Sequence, residues 1–384
     1  MNRLSGVGDR FEAIIVGAGP AGSTAARRLA LRGRAVLLLE RAKLPRHKAC
    51  GGGLTGNVRK ALDFELGDVV ETRIQRILYV FKGRYSVLHR LEGLNMEMVQ
   101  RPLFDNLLTK KAVEAGATLL DETPLKRLVL DNGTKLVETP KGTFQADVVI
   151  GADGAASLTA RAAGLRPNAR PGIAMDAEVT VPADTFQAWK RTAIFDFGLV
   201  PHGLGWVFPK GTFFSIGVGT FDERCANIRA HLDALIRCHD CLSDPLSMTV
   251  RAAPLPNWTH EEPLARDGVF LVGDAAGLLD PLSGEGISYA VRSGVIASHF
   301  ADAWLAGDHT ADIGYSEEIS HRGDTPAASA MFSVSMKSGV SWVALSDRPL
   351  GAAANLHNVC RERLEQDQAI GRLGPAPVQQ AGGE

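Results

Sequence analysis

Ala13 to Val16 is a short, unbroken apolar run, the pattern of a strand covered on both faces of a parallel sheet. A glycine-rich turn from Gly17 to Gly22 leads into Ser23 to Arg32, where apolar residues recur at helical spacing until Gly33. Ala35 to Glu40 is a second apolar run, so this stretch predicts a βαβ unit, whose parallel pairing needs the crossover helix. Arg41 to Asn57 is a polar, glycine-rich loop, and long loops in compact domains tend to carry function. Alternation over Ile74 to His89 predicts paired strands turning at Lys82–Gly83. Arg101 to Ala115 predicts a helix, and Leu125 to Thr139 a hairpin around Asp131–Asn132–Gly133. Asp147 to Ala152 and Val269 to Val272 are further buried strands. Between them, Gly172 to Arg251 changes to strands separated by turns, with one helix near Arg224 to Cys238. Gly284 to Leu305 predicts a helix, and helical spacing continues to about Arg372, including the apolar stretch Val334 to Leu345.

Four buried strands of one kind thus bracket a strand-rich insertion. The fold class expected is α/β: a Rossmann-like dinucleotide-binding domain interleaved with a strand-rich (α+β) substrate domain and a C-terminal helical segment. The binding domain is placed at 10–165 and 252–310, with a strand excursion at about 70–100. The substrate domain is placed at 166–251, the helical segment at 311–372 and a loose tail at 373–384. At 384 residues the chain suits two or three domains.

Composition narrows the class. Hydrophobic residues at 45% and charged residues at 22% exclude disordered and collagen-like chains. Forty-two basic against 43 acidic residues give no sequence-wide pull toward nucleic acid or anionic membrane. Five cysteines in a chain of this length do not form a disulfide framework, so a reducing cytoplasm is the expected setting. The first residues run into a strand with no apolar leader segment, and no run reaches the roughly 18–20 apolar residues of a spanning helix.

Candidate chemistry starts at the glycine turn. Gly17-Ala18-Gly19-Pro20-Ala21-Gly22 matches G-x-G-x-x-G between a strand and a helix. Gly17 permits the turn, Gly19 lets backbone approach a pyrophosphate, and Gly22 lets helix and strand pack closely. The helix start then offers N–H groups and a positive dipole end to the phosphates. Glu40 lies 18 residues past Gly22, at the end of the second strand, where its carboxylate can accept from ribose hydroxyls. That favours FAD or NAD over NADP. Gly151-Ala152-Asp153-Gly154 and Val272-Gly273-Asp274-Ala275-Ala276 each end a buried strand, and Asp280 to Ile287 follows the second. Asp274 can hold a sugar or ribityl hydroxyl, and a nicotinamide enzyme has no use for this distant second cradle. Cys50 stands in a glycine loop beside Arg46, His47 and Lys48, cations expected to lower a thiol pKa. Cys238-His239-Asp240-Cys241 has no second ligand pair at metal-binding spacing, and no metal site is expected.

With these segments the chain resembles FAD-dependent oxidoreductases of the aromatic-hydroxylase fold over roughly residues 12 to 300. Within them, Pro45-Arg46-His47-Lys48-Ala49-Cys50-Gly51-Gly52-Gly53 resembles the P-x-x-K-x-C-G-x-G loop of the geranylgeranyl reductase family. Gly205-Trp206-Val207-Phe208-Pro209-Lys210-Gly211 is similar to that family's W-x-F-P-K-G segment, and Arg101-Pro102-Leu103-Phe104-Asp105 to its R-x-x-F/L-D helix start. The resemblance implies FAD contacts at Ala21, Glu40, Cys50, Gly51, Gly53, Arg101, Leu125, Asp274, Gly286 and Ile287. It places Trp206 and Phe208 on the substrate side. It implies reduction of carbon–carbon double bonds in a geranylgeranyl or other polyprenyl group, with Cys50 as a candidate proton donor. Electrons would come from NAD(P)H or a ferredoxin, since no second dinucleotide turn exists: Gly217-Val218-Gly219 lies in a strand pattern. The lipophilic substrate would allow peripheral contact with a membrane. The competing expectations are an FAD-dependent monooxygenase, hydroxylase or halogenase, on the same scaffold, and a flavin electron carrier without turnover.

Overall fold

A computed structural model describes residues 9–91, 96–131, 133–166, 171–225, 227–256, 263–280 and 283–323, with two short strands beyond at 333–335 and 341–343. The first sheet is built around Arg10–Val16, which pairs in parallel with Val36–Leu39 on one side and Gly142–Gly151 on the other. Thr118–Leu120 and Val269–Leu271 extend it in parallel at either end. Ile14, Ile15, Leu37, Leu38 and Ile150 are fully buried, as expected of strands that helices cover on both faces. The hairpin Arg127–Asp131 with Thr134–Thr139 is joined antiparallel to the long strand 142–151.

Helix Pro20–Ala30 follows the glycine turn and packs on helix Ile287–Leu305. A Cβ at Gly294 would stand 2.4 Å from the Ala21 carbonyl oxygen, so the two helices meet backbone to backbone there. This contact ties the first helix to a segment more than 250 residues later, sets Ala21 against Gly273 and puts Pro20 on the same cavity as Asp274 and Gly286.

The second sheet has seven strands, in the order 247–255, 172–180, 213–220, 203–210, 192–197, 76–81 and 85–90. All pair antiparallel except 76–81 with 192–197. Strand residues alternate between faces. Ala177, Val179, Val207, Ile216 and Val218 pack under helix Ile228–Cys238, and the other face turns toward the first sheet. Strands 76–81 and 85–90, expected as an excursion of the dinucleotide-binding segment, belong to this second sheet: 76–81 pairs with Thr192–Phe197 and carries 85–90 as the edge strand. Helix 228–238 starts four residues later than the pattern predicts; Asn227, whose side chain accepts from Ala230 N, caps it.

The helical segment expected over 311–372 is borne out at its start and corrected at two short stretches. Helix Ala311–Gly323 forms, but Ser333–Ser335 and Ser341–Val343 pair as antiparallel strands. Ser-Val-Ser and Ser-Trp-Val read equally well at period two, and β-branched residues favour that choice. The rest of the expected helical segment and the tail lie outside the described residues. No helix among the described residues is long and apolar enough to cross a membrane.

Candidate active site

The dinucleotide turn adopts the geometry its glycines were read for. Gly17 has φ +108°, and a Cβ there would lie 2.3 Å from the Ala152 carbonyl oxygen. At Gly22 a Cβ would meet the Gly17 carbonyl oxygen at 1.9 Å. Gly19 differs: a Cβ would meet nothing nearer than Arg46 Nη2 at 3.7 Å, so its face is open. No side chain caps helix 20–30, whose first-turn N–H groups face the same opening. Open space, an uncapped helix start and a guanidinium suit a pyrophosphate.

Glu40 ends the second strand, buried at 3% exposure. Its carboxylate accepts from Ala18 N at 3.1 Å and Ala42 N at 3.1 Å, and pairs with Arg46 Nε at 3.2 Å. Arg46 also donates to Asp105 Oδ2, at 2.9 Å, the carboxylate that Arg101 grips through Nε and Nη2. Arg46 therefore bridges Glu40 and Asp105 in front of the glycine turn. The sequence signal for it was its place in the loop motif. Leu125 is buried in the core of the first sheet and does not line the cavity described next.

That cavity, of about 780 Å³, runs from Pro20, Lys48–Gly53, Arg101, Asp274 and Gly284–Ile287 to the second sheet. It brings Cys50, Gly51, Gly53, Arg101, Asp274, Gly286, Ile287, Trp206 and Phe208 into one chamber. Asp274 follows the strand 269–271, and Lys48 Nζ donates to its Oδ2 at 2.6 Å. Burial opposes the charge of Asp274, but Lys48, then Arg101, hold its pKa below the usual carboxylate value. Asp153 is employed differently: it accepts from Ser157 Oγ, Leu158 N, Thr159 N and Thr159 Oγ1 at the start of helix 158–162. Pro281 and Leu282, part of the expected cradle before Gly286, lie outside the described residues.

The far wall is one face of the second sheet. The register sets Tyr79, Phe195, Trp206, Gly217 and Asp176 in a single cross-strand row. Tyr79 and Phe195 stack at 6.0 Å, and Phe208 meets Phe195 edge-on at 5.1 Å. The Trp206 indole lies over Gly217, where a Cβ would stand 2.2 Å from Cζ2. The next row, Ala253, Ala174, Gly219 and Leu204, is mostly small. Large aromatics beside small residues leave an apolar trough.

The loop 50–53 rests on this wall. Gly51 approaches Phe208 and Trp206, and Gly52, at φ +67°, approaches Lys210 and the Val99 carbonyl oxygen. The cations expected to act on Cys50 are corrected. Arg46 serves Glu40 and Asp105, His47 Nε2 lies 3.2 Å from Glu178 Oε1, and Lys48 holds Asp274. Arg101 and Lys210, 51 and 160 residues on, face Cys50 instead. Burial lowers the Lys210 pKa, and the nearby Cys50 opposes that fall. Burial acts against Arg101, but Asp105 and then Cys50 hold its pKa up. Lys210 Nζ also donates to the Cys50 carbonyl oxygen at 3.1 Å. Lys210 and Asp176 were absent from the expected site; the W-x-F-P-K-G motif contained the first, and an acid on the small-residue face of strand 172–180 marked the second.

Elsewhere, Cys238 and Cys241 do not converge. Cys241 is core, and Cys238 packs under Gly83. Among the described residues no group of His, Cys, Asp and Glu side chains is arranged to hold a metal ion.

Residues 10–303 match the FAD-binding domain family. The chain is 33% identical over 316 residues to digeranylgeranylglycerophospholipid reductase 1 of Methanopyrus kandleri, covering 78% of this chain and 82% of that one. It is 31% identical over 328 residues to the chloroplastic geranylgeranyl diphosphate reductase of Oryza sativa subsp. japonica, covering 78% and 67%. Among solved structures, a geranylgeranyl bacteriochlorophyll reductase-like protein from Thermoplasma acidophilum superposes with a TM-score of 0.70 at 24% identity, covering 82% and 84%. The flavin-dependent halogenase CmlS superposes at 0.66 and 21% identity, covering 84% and 63%. At those identities the two structures share the fold.

Proposed function

Because this chain belongs to the geranylgeranyl reductase family of FAD-dependent oxidoreductases, we propose that it saturates carbon–carbon double bonds of a geranylgeranyl or other polyprenyl group. The observation that carries the proposal is the single cavity joining the dinucleotide elements to the aromatic trough of the second sheet. The residues present fit FAD. Gly19 and the start of helix 20–30 would take the pyrophosphate beside Arg46, Glu40 a ribose, and Asp274 with Gly286 and Ile287 the flavin end. Reduced flavin, when bound, supplies the hydride.

The chain's own work is to hold the alkene in a dry trough and to provide a proton. Tyr79, Phe195, Trp206 and Phe208 bury an isoprenoid by apolar contact, and orientation in a water-poor site must supply much of the rate for an unactivated double bond. Cys50 is one candidate donor on the chamber wall, with Arg101 and Lys210 beside it. NAD(P)H or a ferredoxin would serve as electron donor. A lipophilic substrate would bring the protein to a membrane surface peripherally.

Anaerobic stopped-flow tests the reading. Protein reduced with dithionite should reoxidise when mixed with geranylgeranyl diphosphate or a prenylquinone, and mass spectrometry should find product heavier by two hydrogens per bond. Reoxidation by O2 alone with an oxygenated or halogenated product would make it a monooxygenase or halogenase. Reoxidation only by a redox protein would make it an electron carrier.

A further inference from the structure

One carboxyl stands in the cavity-facing row of the second sheet. Asp176 sits between Gly217 and Arg251 in the register, lines the cavity and is 5% exposed. Its Oδ1 is buried with no hydrogen-bond partner. The cations whose fields reach it are His47, Arg251 and Lys210; His47 and Lys210 bond elsewhere, and Arg251 Nη1 lies 3.6 Å from Glu178 without a hydrogen bond to either carboxyl. Glu178, two residues on and on the same face, holds His47 at 3.2 Å and Arg251 at 3.6 Å. Lys210 donates to the Cys50 carbonyl. Two carboxyls on one strand are thus set apart: Glu178 has the cations, and Asp176 has burial. A carboxyl removed from water without a partner keeps its proton, and burial raises the Asp176 pKa, against the opposing pull of His47, Arg251 and Lys210. Environments that separate two like groups in this way assign acid and base roles in enzymes.

We propose that Asp176 is the acid of the reaction chamber, giving its proton to the alkene carbon that does not receive hydride. The proposal rests on the reductase reading above. The Asp176 O–H bond breaks, its electron pair stays as carboxylate, and the π pair of the alkene forms the new C–H bond. The second carbon takes hydride from reduced flavin, which is thereby oxidised by two electrons. His47, Arg251 and Lys210 then face a carboxylate rather than a neutral acid. His47, about a third exposed, offers the way back for a solvent proton.

Asp176→Asn keeps the shape and removes the proton. In the oxidised holoprotein without turnover, difference infrared spectroscopy should show a protonated-carboxyl band at neutral pH that disappears in Asp176→Asn. The band should shift when geranylgeraniol fills the cavity. Glu178→Gln leaves Asp176 in place but frees His47 and Arg251 to pair with it, so the band should titrate away at lower pH. In anaerobic single turnover, Asp176→Asn should retain FAD and dithionite reduction but lose about 10²- to 10⁴-fold in reoxidation by the alkene. The fall in wild-type rate as pH rises should be missing in that variant. An identical band, or an identical rate and pH profile, in Asp176→Asn overturns the proposal, as does Cys50→Ser taking the whole loss. If the wild type reduces no prenyl compound, the reductase reading fails by itself; a band that ignores geranylgeraniol then sinks the role of Asp176 separately.

Discussion

Gly217→Ala adds one carbon beneath the indole that floors the cavity. The ideal Cβ lies 2.2 Å from Cζ2, 2.6 Å from Cη2 and 2.7 Å from Cε2 of Trp206. Carbon atoms rest about 3.5–4.0 Å apart, so the ring must retreat by more than about 1 Å. On the loop side the ring already lies beside the Gly51 backbone, close enough that a side-chain carbon there would stand only 3.3 Å from Nε1, so its room to retreat is limited. An inserted carbon in a packed site costs about 1–3 kcal/mol. At roughly 2–4 °C per kcal/mol for domains of 150–250 residues, and less for a longer chain, the melting temperature should fall by a few degrees. The displaced ring also intrudes on the trough, so geranylgeraniol affinity, measured by quenching of flavin fluorescence, should drop. A double-mutant cycle with Trp206→Leu should give a coupling of about 1 kcal/mol or more, since Leu removes the atoms that clash. Wild-type melting and ligand binding in Gly217→Ala, or strict additivity in the cycle, would refute this account of the wall.

Further outcomes are expected. Asp274→Ala should weaken FAD binding more than Asp153→Ala, because Asp274 faces the cavity with Lys48 while Asp153 caps its own helix; equal dissociation constants by fluorescence titration would reverse that order. Asp153→Ala should instead lower the melting temperature through a loss of about 1 kcal/mol, as capping groups usually contribute. Glu40→Lys should strip FAD during purification, but it also leaves Ala18 N, Ala42 N and Arg46 without their acceptor, so Glu40→Gln with a weaker loss, about 1.5–3 kcal/mol for the charge-assisted bonds, is the cleaner measurement. Cys50→Ser should keep FAD and slow alkene-driven reoxidation only a few-fold, whereas a loss of about 10²-fold or more in single turnover would make the thiol the donor. Asp176 carries a raised pKa, so the folded protein holds a proton that the unfolded chain releases, and stability is lost as pH rises from the ordinary carboxylate range through the folded value; Asp176→Asn should therefore remove that fall from a melting-temperature profile, and an unchanged profile would count against a buried neutral acid.

The dinucleotide half was legible in the chain because local constraints write it. Gly17 needs its positive φ, a Cβ on Gly22 would lie 1.9 Å from the Gly17 carbonyl oxygen, and Glu40 must end the strand that follows. No side chain elsewhere can substitute for those requirements, so spacing alone revealed them. The loop and wall motifs likewise named Cys50, Trp206 and Phe208. What surrounds those residues was decided by pairing over long distances. Thr192–Phe197 draws strands 76–81 and 85–90 into the second sheet, and Arg101 and Lys210, not the adjacent cations, reach Cys50. Helical periodicity beyond residue 323 lost to local strand pairing at 333–335 and 341–343, a choice that apolar spacing cannot make for short segments. Asp176 is the sharpest case. In the sequence it is one acid of two on a strand, Asp176 and Glu178; only the fold sets Glu178 within 3.2 Å of His47 and 3.6 Å of Arg251 and leaves Asp176 Oδ1 buried without a hydrogen bond, because charge pairing depends on distances that no spacing in the chain encodes.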